Sequence, residues 1–129
     1  MSHRQPVTAP DAPEPAGPYS HAVRSGGVLF CSGQVPIDPG TGRLVEGSIG
    51  DQARQCLDNL ATVCAAAGAQ LSDAVRMAIY VTDISQFAQV NEAYAAYFSS
   101  DPPARTTIGV AALPGGAEIE MDAIVALPD

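Results

Sequence analysis

Apolar side chains recur every three to four positions in two stretches of the chain, which is the period of an amphipathic helix. The first stretch begins with a capping pair, Ser48 and Asp51, and ends at Gly68, a residue that favours a helix C-terminus. Its stripe comprises Ile49, Ala53, Cys56, Leu57, Leu60, Ala61 and Cys64. The second stretch begins at a similar pair, Asp83 and Gln86, and its stripe comprises Phe87, Val90 or Asn91, Tyr94, Tyr97 and Phe98. The pattern predicts two helices of about four turns each.

Shorter apolar runs between turn-forming residues predict strands. They lie at 7–8, 22–24, 28–32, 74–81, 106–110 and 118–125, and the proline and glycine content of 36–42 and 113–116 predicts turns. In the run 74–81 the alternation places Val75, Met77, Ile79 and Val81 on one face. Because both helical stripes must be buried, this order of elements predicts an α+β fold in which both helices pack on one face of a mixed sheet.

The last predicted strand separates apolar from acidic residues. Ile119, Met121, Ala123 and Val125 share one face, and Glu118, Glu120 and Asp122 share the other. Because this strand follows the strand of Arg105 along the chain, we expect the two to pair as a hairpin or to be close neighbours. Two interpretations of the acidic face remain open. It is a solvated outer surface, or one carboxylate lies near Arg105 and positions water or a proton there.

Arg105 occupies a distinctive position between a rigid turn and a β-branched strand. Pro102 and Pro103 exclude a helix before it, and Thr106 and Thr107 continue it as a strand. A guanidinium held in this way suits bidentate binding of a small carboxylate. The alternative is an ordinary surface arginine at the edge of a sheet. Tyr19 likewise has two interpretations: it is a surface aromatic, or it contributes a hydroxyl to a binding site.

Length and charge narrow the class of protein. The 129 residues predict one domain, 1–129, whose Pro-rich segment 1–18 is an extended, partly ordered arm. We expect a cytoplasmic protein, since the sequence has no apolar run of about 18 residues and no signal-peptide pattern. The net charge of −8 makes nucleic acid an unfavourable partner. The sheet face without helices mixes apolar and charged residues, and self-association would cover it.

The residue types exclude several kinds of catalysis. All six basic residues are arginines, so a lysine Schiff base, pyridoxal-phosphate chemistry and a Walker-type phosphate loop are excluded. The two histidines and three cysteines have no metal-binding spacing, and we expect no metal. Cys31, Cys56 and Cys64 fall on predicted core positions, where we expect free thiols.

Several motifs together resemble the RidA/YjgF family. They are Gly17-Pro18-Tyr19, Ser32-Gly33-Gln34-Val35-Pro36, the run from Gln52 to Asn59, Pro103-Ala104-Arg105-Thr106, and Ala111-Ala112-Leu113-Pro114 followed by Glu118-Ile119-Glu120. The resemblance spans nearly the whole chain from about residue 6. It implies a chorismate-mutase-like fold and a homotrimer whose three sheets enclose a barrel, with sites in the clefts between subunits. It also implies cofactor-free hydrolysis of reactive 2-imino acids, derived from serine or threonine, to 2-oxo acids and ammonia.

The resemblance assigns roles to seven positions. Arg105 corresponds to the family's carboxylate-binding arginine and Glu120 to its catalytic acid. The binding positions fall on Tyr19, Ser32, Gly33 and Asn91. Thr107 takes a third catalytic position beside Arg105 and Glu120. Many members carry cysteine there, two residues after the arginine, which leaves open whether the exchange alters rate or substrate range.

Two other functions compete with imine hydrolysis. One is a non-catalytic trimer that binds small carboxylates or acts like a chaperone. The other is the endoribonuclease or translation-inhibitor activity attributed to some family members, which the acidic, lysine-free composition disfavours because it lacks a basic surface for RNA.

Overall fold

Six strands form one mixed sheet, and two helices pack on one of its faces. The computed structural model describes residues 3–129, so residues 1 and 2 of the predicted arm lie outside the described residues. In chain order the elements are β1 (Gln5–Val7), β2 (Ala22–Ser25), β3 (Val28–Gln34), β4 (Ile37–Asp38), β5 (Arg43–Leu44), α1 (Ile49–Ala66), β6 (Ala74–Val81), α2 (Phe87–Ala95), β7 (Ala104–Gly109) and β8 (Ile119–Ala126). The order in the sheet is β1-β2-β3-β8-β6-β7, and β4 and β5 form a separate hairpin. The predicted α+β class is confirmed.

The first helix follows its sequence signals closely. The Ser48 hydroxyl accepts the Asp51 N–H at 3.1 Å, and the Asp51 carboxylate accepts the Ser48 N–H at 3.3 Å, which completes a capping box. Gly68, just after the helix, has φ +75°, a conformation that glycine adopts without strain. Cys56, Leu57, Leu60 and Cys64 of its stripe are fully buried against the sheet.

The second helix is shorter than its apolar stripe predicts. Asp83 accepts the Ser85 N–H and so caps a single 3-10 turn, Ile84–Gln86, before α2 begins at Phe87. The helix proper has nine residues, not four turns. Val90 and Tyr94 are buried as expected, whereas Phe87 is 42% exposed.

The expected direct pairing of the last two strands is wrong. β6 lies between β7 and β8, pairing with β7 in parallel and with β8 in antiparallel orientation. The physical reason is the crossover through α2, because a strand that follows a crossover helix returns parallel to the strand before it.

Two further expectations need correction. Val75 is 50% exposed because the register shifts between Ala74 and Arg76, and the segment 36–42 contains β4 as well as a turn.

The two faces of β8 differ as the alternation predicts. Ile119, Met121, Ala123 and Val125 are buried below the helices, and Glu120 and Asp122 are only half-buried on the opposite face. That opposite face, here called the open face, also carries Phe30 and Ile108, which are 47% and 44% exposed. No helix of residues 3–129 covers it, and its apolar side chains remain accessible.

The three cysteines occupy the core positions predicted for them. Cys31, Cys56 and Cys64 are all buried, and burial raises the pKa of the Cys56 thiol above its ordinary value. Their free-thiol state remains a prediction.

None of the described helices combines the length and apolarity needed to cross a bilayer.

Candidate functional site

Arg105 lies against α2 and is held there by three side chains. One of its terminal nitrogens donates to the Asn91 side-chain oxygen at 2.7 Å. The guanidinium carbon is 4.7 Å from the centroid of the Tyr94 ring and 5.6 Å from that of Phe87. Both distances are in the range of cation–π attraction. The group therefore has a fixed orientation at the edge of the sheet.

The spacing along α2 explains why these three side chains meet Arg105. Phe87, Asn91 and Tyr94 are separated by four and three residues, so they lie on one side of the helix. The family resemblance implies a site role for Asn91, whereas the apolar stripe predicts core positions for Phe87 and Tyr94. The signal that could have revealed them is the single amide within an otherwise aromatic stripe, since a half-buried amide needs a polar partner.

Most of the hydrogen-bonding capacity around Arg105 is unused. A guanidinium has five N–H donors, and the bond to Asn91 uses one of them. Within residues 3–129 no carboxylate forms an ion pair with Arg105. The hydroxyls of Thr107 and Tyr94 are also buried with no hydrogen-bond partner in the described residues. Burial raises the pKa of Tyr94 to about 12, so its hydroxyl stays a donor. This arrangement can bind an anion.

The other predicted residues line a cavity of about 650 Å³. Tyr19, Ser32, Gly33 and Glu120 all contribute to its wall, together with arm residues 13–16. The cavity falls within the range of small-molecule sites, about 300–1,000 Å³. Its principal charged groups are Glu120, Glu14 and Arg43. Among residues 3–129, no three His, Cys, Asp or Glu side chains are grouped so as to hold a metal ion.

A register shift in β3 shapes the cavity wall beside Glu120. Cys31 pairs with Ala123 and Gln34 with Met121, so Ser32 and Gly33 bulge from the ladder. A Cβ at position 33 would collide with the Glu120 carboxylate. Glycine at this position permits the close approach, and a larger residue would require the Glu120 side chain to move.

Hydrogen bonds orient two of the polar side chains of the cavity. The Ser32 hydroxyl donates to the Ser20 carbonyl at 2.6 Å, and the Tyr19 hydroxyl accepts the Ala16 N–H at 3.0 Å. Glu120 has a raised pKa, first because partial burial penalises its charged form and second because the Asp122 carboxylate is nearby. A raised pKa makes the ionised Glu120 carboxylate a stronger base than an exposed glutamate.

The structure therefore brings the predicted residues together in two separate groups. Asn91, Arg105 and Thr107 form one group on the helix face of the sheet, here called the arginine half. Tyr19, Ser32, Gly33 and Glu120 form the other, here called the glutamate half, and Glu120 projects from the open face.

The two halves are too far apart to contact one small molecule within one chain. β7 and β8 are separated by β6, which is about 10 Å for two strand spacings. Both residues pair with β6, Glu120 with Tyr80 and Arg105 with Met77. The two are therefore also offset by about 10 Å along the strand direction. Their side chains also leave opposite faces of the sheet.

Comparisons with known proteins agree on one family. The model of the family described as Endoribonuclease L-PSP matches residues 9–127. A RutC family protein of Pyrococcus horikoshii is 44% identical, over 94% of this chain and 96% of that protein. A 2-iminobutanoate/2-iminopropanoate deaminase of Dermatophagoides farinae is 39% identical, over 98% of this chain and 99% of that protein.

Solved structures give the same result for the fold. The YjgF gene product of Escherichia coli superposes with a TM-score of 0.90 at 37% identity, covering 95% of this chain and 98% of that one. RidA from an Antarctic Psychrobacter superposes with a TM-score of 0.91 at 40% identity, covering 95% and 99%. The family match over residues 9–127, these relatives and the shared fold establish that the chain belongs to the RidA/YjgF/RutC family.

Proposed function

We propose that this protein hydrolyses reactive 2-imino acids, of the 2-aminoacrylate and 2-iminobutanoate type, to 2-oxo acids and ammonia without a cofactor. The observation that carries the proposal is the state of Arg105. Its guanidinium is fixed by Asn91 and two aromatic rings, and four of its five N–H donors have no hydrogen-bond partner among residues 3–129. A 2-imino acid carries the small carboxylate that such a fork binds in bidentate fashion.

The same proposal requires a second copy of the chain. Arg105 and Glu120 cannot both contact one four-carbon molecule within a single chain, because they leave opposite faces of the sheet on strands that do not pair. The exposed Phe30 and Ile108 on the open face give a second copy an apolar surface to bury. We infer a homotrimer in which the arginine half of one chain completes the glutamate half of its neighbour.

The reaction needs few groups, and the two halves contain them. Arg105 binds the substrate carboxylate and places the C=N carbon beside Glu120. A water molecule adds to that carbon and passes a proton to the Glu120 carboxylate. Glu120 returns the proton to the nitrogen of the tetrahedral intermediate. The hydroxyl of that intermediate then passes its proton through Glu120 to the nitrogen, and the C–N bond breaks with its electron pair going to nitrogen. Ammonia leaves as the carbonyl of the 2-oxo acid forms.

Unpartnered hydroxyls can support the bound substrate. Thr107 is two residues beyond Arg105 on the same face of β7, and its hydroxyl has no protein partner in residues 3–129. It can therefore bond to substrate at the position where many family members have cysteine. Backbone groups near Gly33 can hold the imine nitrogen.

The other functions considered from the sequence receive less support. The family description contains the word endoribonuclease, but a net charge of −8 opposes the approach of RNA phosphates. A binding protein without activity would use Arg105 in the same way, whereas a carboxyl with a raised pKa in the neighbouring half, Glu120, favours a role in proton transfer. Activity distinguishes the two.

The direct test generates 2-iminobutanoate enzymatically in the assay and measures the release of 2-oxobutanoate. The protein should accelerate that release, and Arg105→Ala should abolish the acceleration. Arg54→Ala is the matched control, because Arg54 is an exposed arginine that pairs with Asp51 on α1, away from both halves. Release at the uncatalysed rate with the parent protein would refute the proposed activity.

A further inference from the structure

His21 is a buried titratable residue that the proposed reaction does not use. It immediately precedes β2 and is only 6% exposed. Its Nδ1 accepts the N–H of Ala9 at 3.1 Å, and its Nε2 donates to the carbonyl of Pro13 at 2.9 Å. Both partners belong to the N-terminal arm, so one imidazole joins two points of that arm to the sheet.

The partners of the ring determine its chemical form. Nδ1 faces an N–H donor and must be unprotonated, while Nε2 faces a carbonyl acceptor and must carry the proton. The neutral Nε2–H tautomer is the form that makes both bonds. Ala9 is 1% exposed, so its N–H would be left unsatisfied in the interior if the imidazole were removed.

The arm that His21 holds is also a wall of the cavity. Arm residues 13–16 line it beside Tyr19 and Glu120. The N–H of Ala16 donates to the Tyr19 hydroxyl at 3.0 Å. Tyr19 is 49% exposed, and this is the hydrogen bond that fixes its hydroxyl within residues 3–129.

We propose that His21 is a positioning residue: it locks the N-terminal arm in place as a wall of the cavity and, through Ala16, orients the Tyr19 hydroxyl. His21 also lines the cavity, but both of its ring nitrogens are bonded to backbone groups of the arm, which leaves neither for the substrate. The kinetic consequence rests on the proposed imine hydrolysis, since a displaced wall and tyrosine would weaken substrate binding more than they would change proton transfer at Glu120.

Two substitutions separate positioning from simple packing. Glutamine has a carbonyl that can accept the Ala9 N–H and an amide that can donate to Pro13, whereas leucine keeps the volume and makes neither bond. For His21→Leu we expect KM for 2-iminobutanoate to rise about tenfold, because losing both bonds favours a displaced arm in which the cavity wall and Tyr19 no longer fit the substrate. The value of kcat should stay within about twofold. His21→Gln should restore KM to the parent value. A KM unchanged in His21→Leu would overturn the proposal, as would an equal loss in both variants.

A second measurement tests the lock without any activity assay. In the parent protein, ¹⁵N NMR should show the neutral Nε2–H tautomer of His21, and the amides of Ala9 and Ala16 should be protected from hydrogen exchange. In His21→Leu both amides should exchange faster, and in His21→Gln they should be protected again. An Nδ1–H tautomer, or equal exchange in parent and leucine variant, would refute the lock. If these results hold but the parent does not hydrolyse imines, the proposed function fails and the lock stands.

Discussion

Replacing Arg105 with lysine separates a bidentate clamp from a simple positive charge. The variant keeps one charge near Asn91, Tyr94 and Phe87, so a purely electrostatic role would be preserved. An ammonium cannot present two parallel donors in a fixed plane. We therefore expect Arg105→Lys to lose nearly all imine hydrolysis, much as Arg105→Ala does.

The magnitude follows from the bonds that are lost. A hydrogen bond to a charged group is worth about 1.5–3 kcal/mol, and the lysine variant loses one of the two to the substrate carboxylate. It also loses the planar group that stacks on Tyr94 and is held by Asn91. The substrate is then less well placed, which lowers the rate further. Since about 1.4 kcal/mol is tenfold in rate, we expect kcat/KM to fall by roughly 10²–10³.

Stability should change little in the same variant. Arg105 is half-buried at the edge strand, and lysine retains a cation–π contact of about 0.5–1 kcal/mol there. The assay is 2-oxobutanoate release from enzymatically generated 2-iminobutanoate, with thermal unfolding measured in parallel. Arg54→Lys serves as the control for the loss of one guanidinium. Parent-like turnover by Arg105→Lys would show that the clamp reasoning is wrong.

Three further predictions concern Glu120, Gly33 and the assembly. Glu120→Gln should preserve the fold and carboxylate binding while hydrolysis falls at least about tenfold. Because the pKa of Glu120 is raised, its carboxyl ionises at a higher pH than an ordinary glutamate does. The kcat of the parent should therefore rise with pH over that range. An identical pH profile of kcat in Glu120→Gln would contradict the assignment of Glu120 as the base. Gly33→Ala should reduce turnover by displacing the Glu120 carboxylate, with unaltered kinetics as the contrary result. Light scattering at micromolar concentration should give the mass of three chains, and a stable monomer would remove the shared site.

The hydrophobic period predicted most of the fold. The stripe and caps of α1 and the alternation of β8 are local signals, and both elements appear as expected. The position of β6 between β7 and β8 could not be obtained in this way, because strand order depends on where the crossover through α2 returns the chain. The register shift that exposes Val75 is likewise a property of the paired sheet.

Family motifs indicate the residues of the candidate site, and the resemblance places such sites between subunits. Those motifs include Arg105, Gly33 and Glu120, and they do not show which of the site residues lie together within one chain. Their separation follows from sheet order and from the side-chain direction on each strand, which only the three-dimensional structure contains. His21 had no sequence signal, since its partners are backbone groups of the arm.

Mixed assemblies of two inactive variants test the shared site most directly. Arg105→Ala chains retain an intact glutamate half, and Glu120→Gln chains retain an intact arginine half. In randomly mixed trimers with equal amounts of each, about one quarter of the sites receive both intact halves. Co-expressed and co-purified chains should therefore recover about one quarter of the parent rate of 2-iminobutanoate hydrolysis, above either variant alone. Mixed trimers that remain as inactive as the separate variants would contradict a site built from two chains.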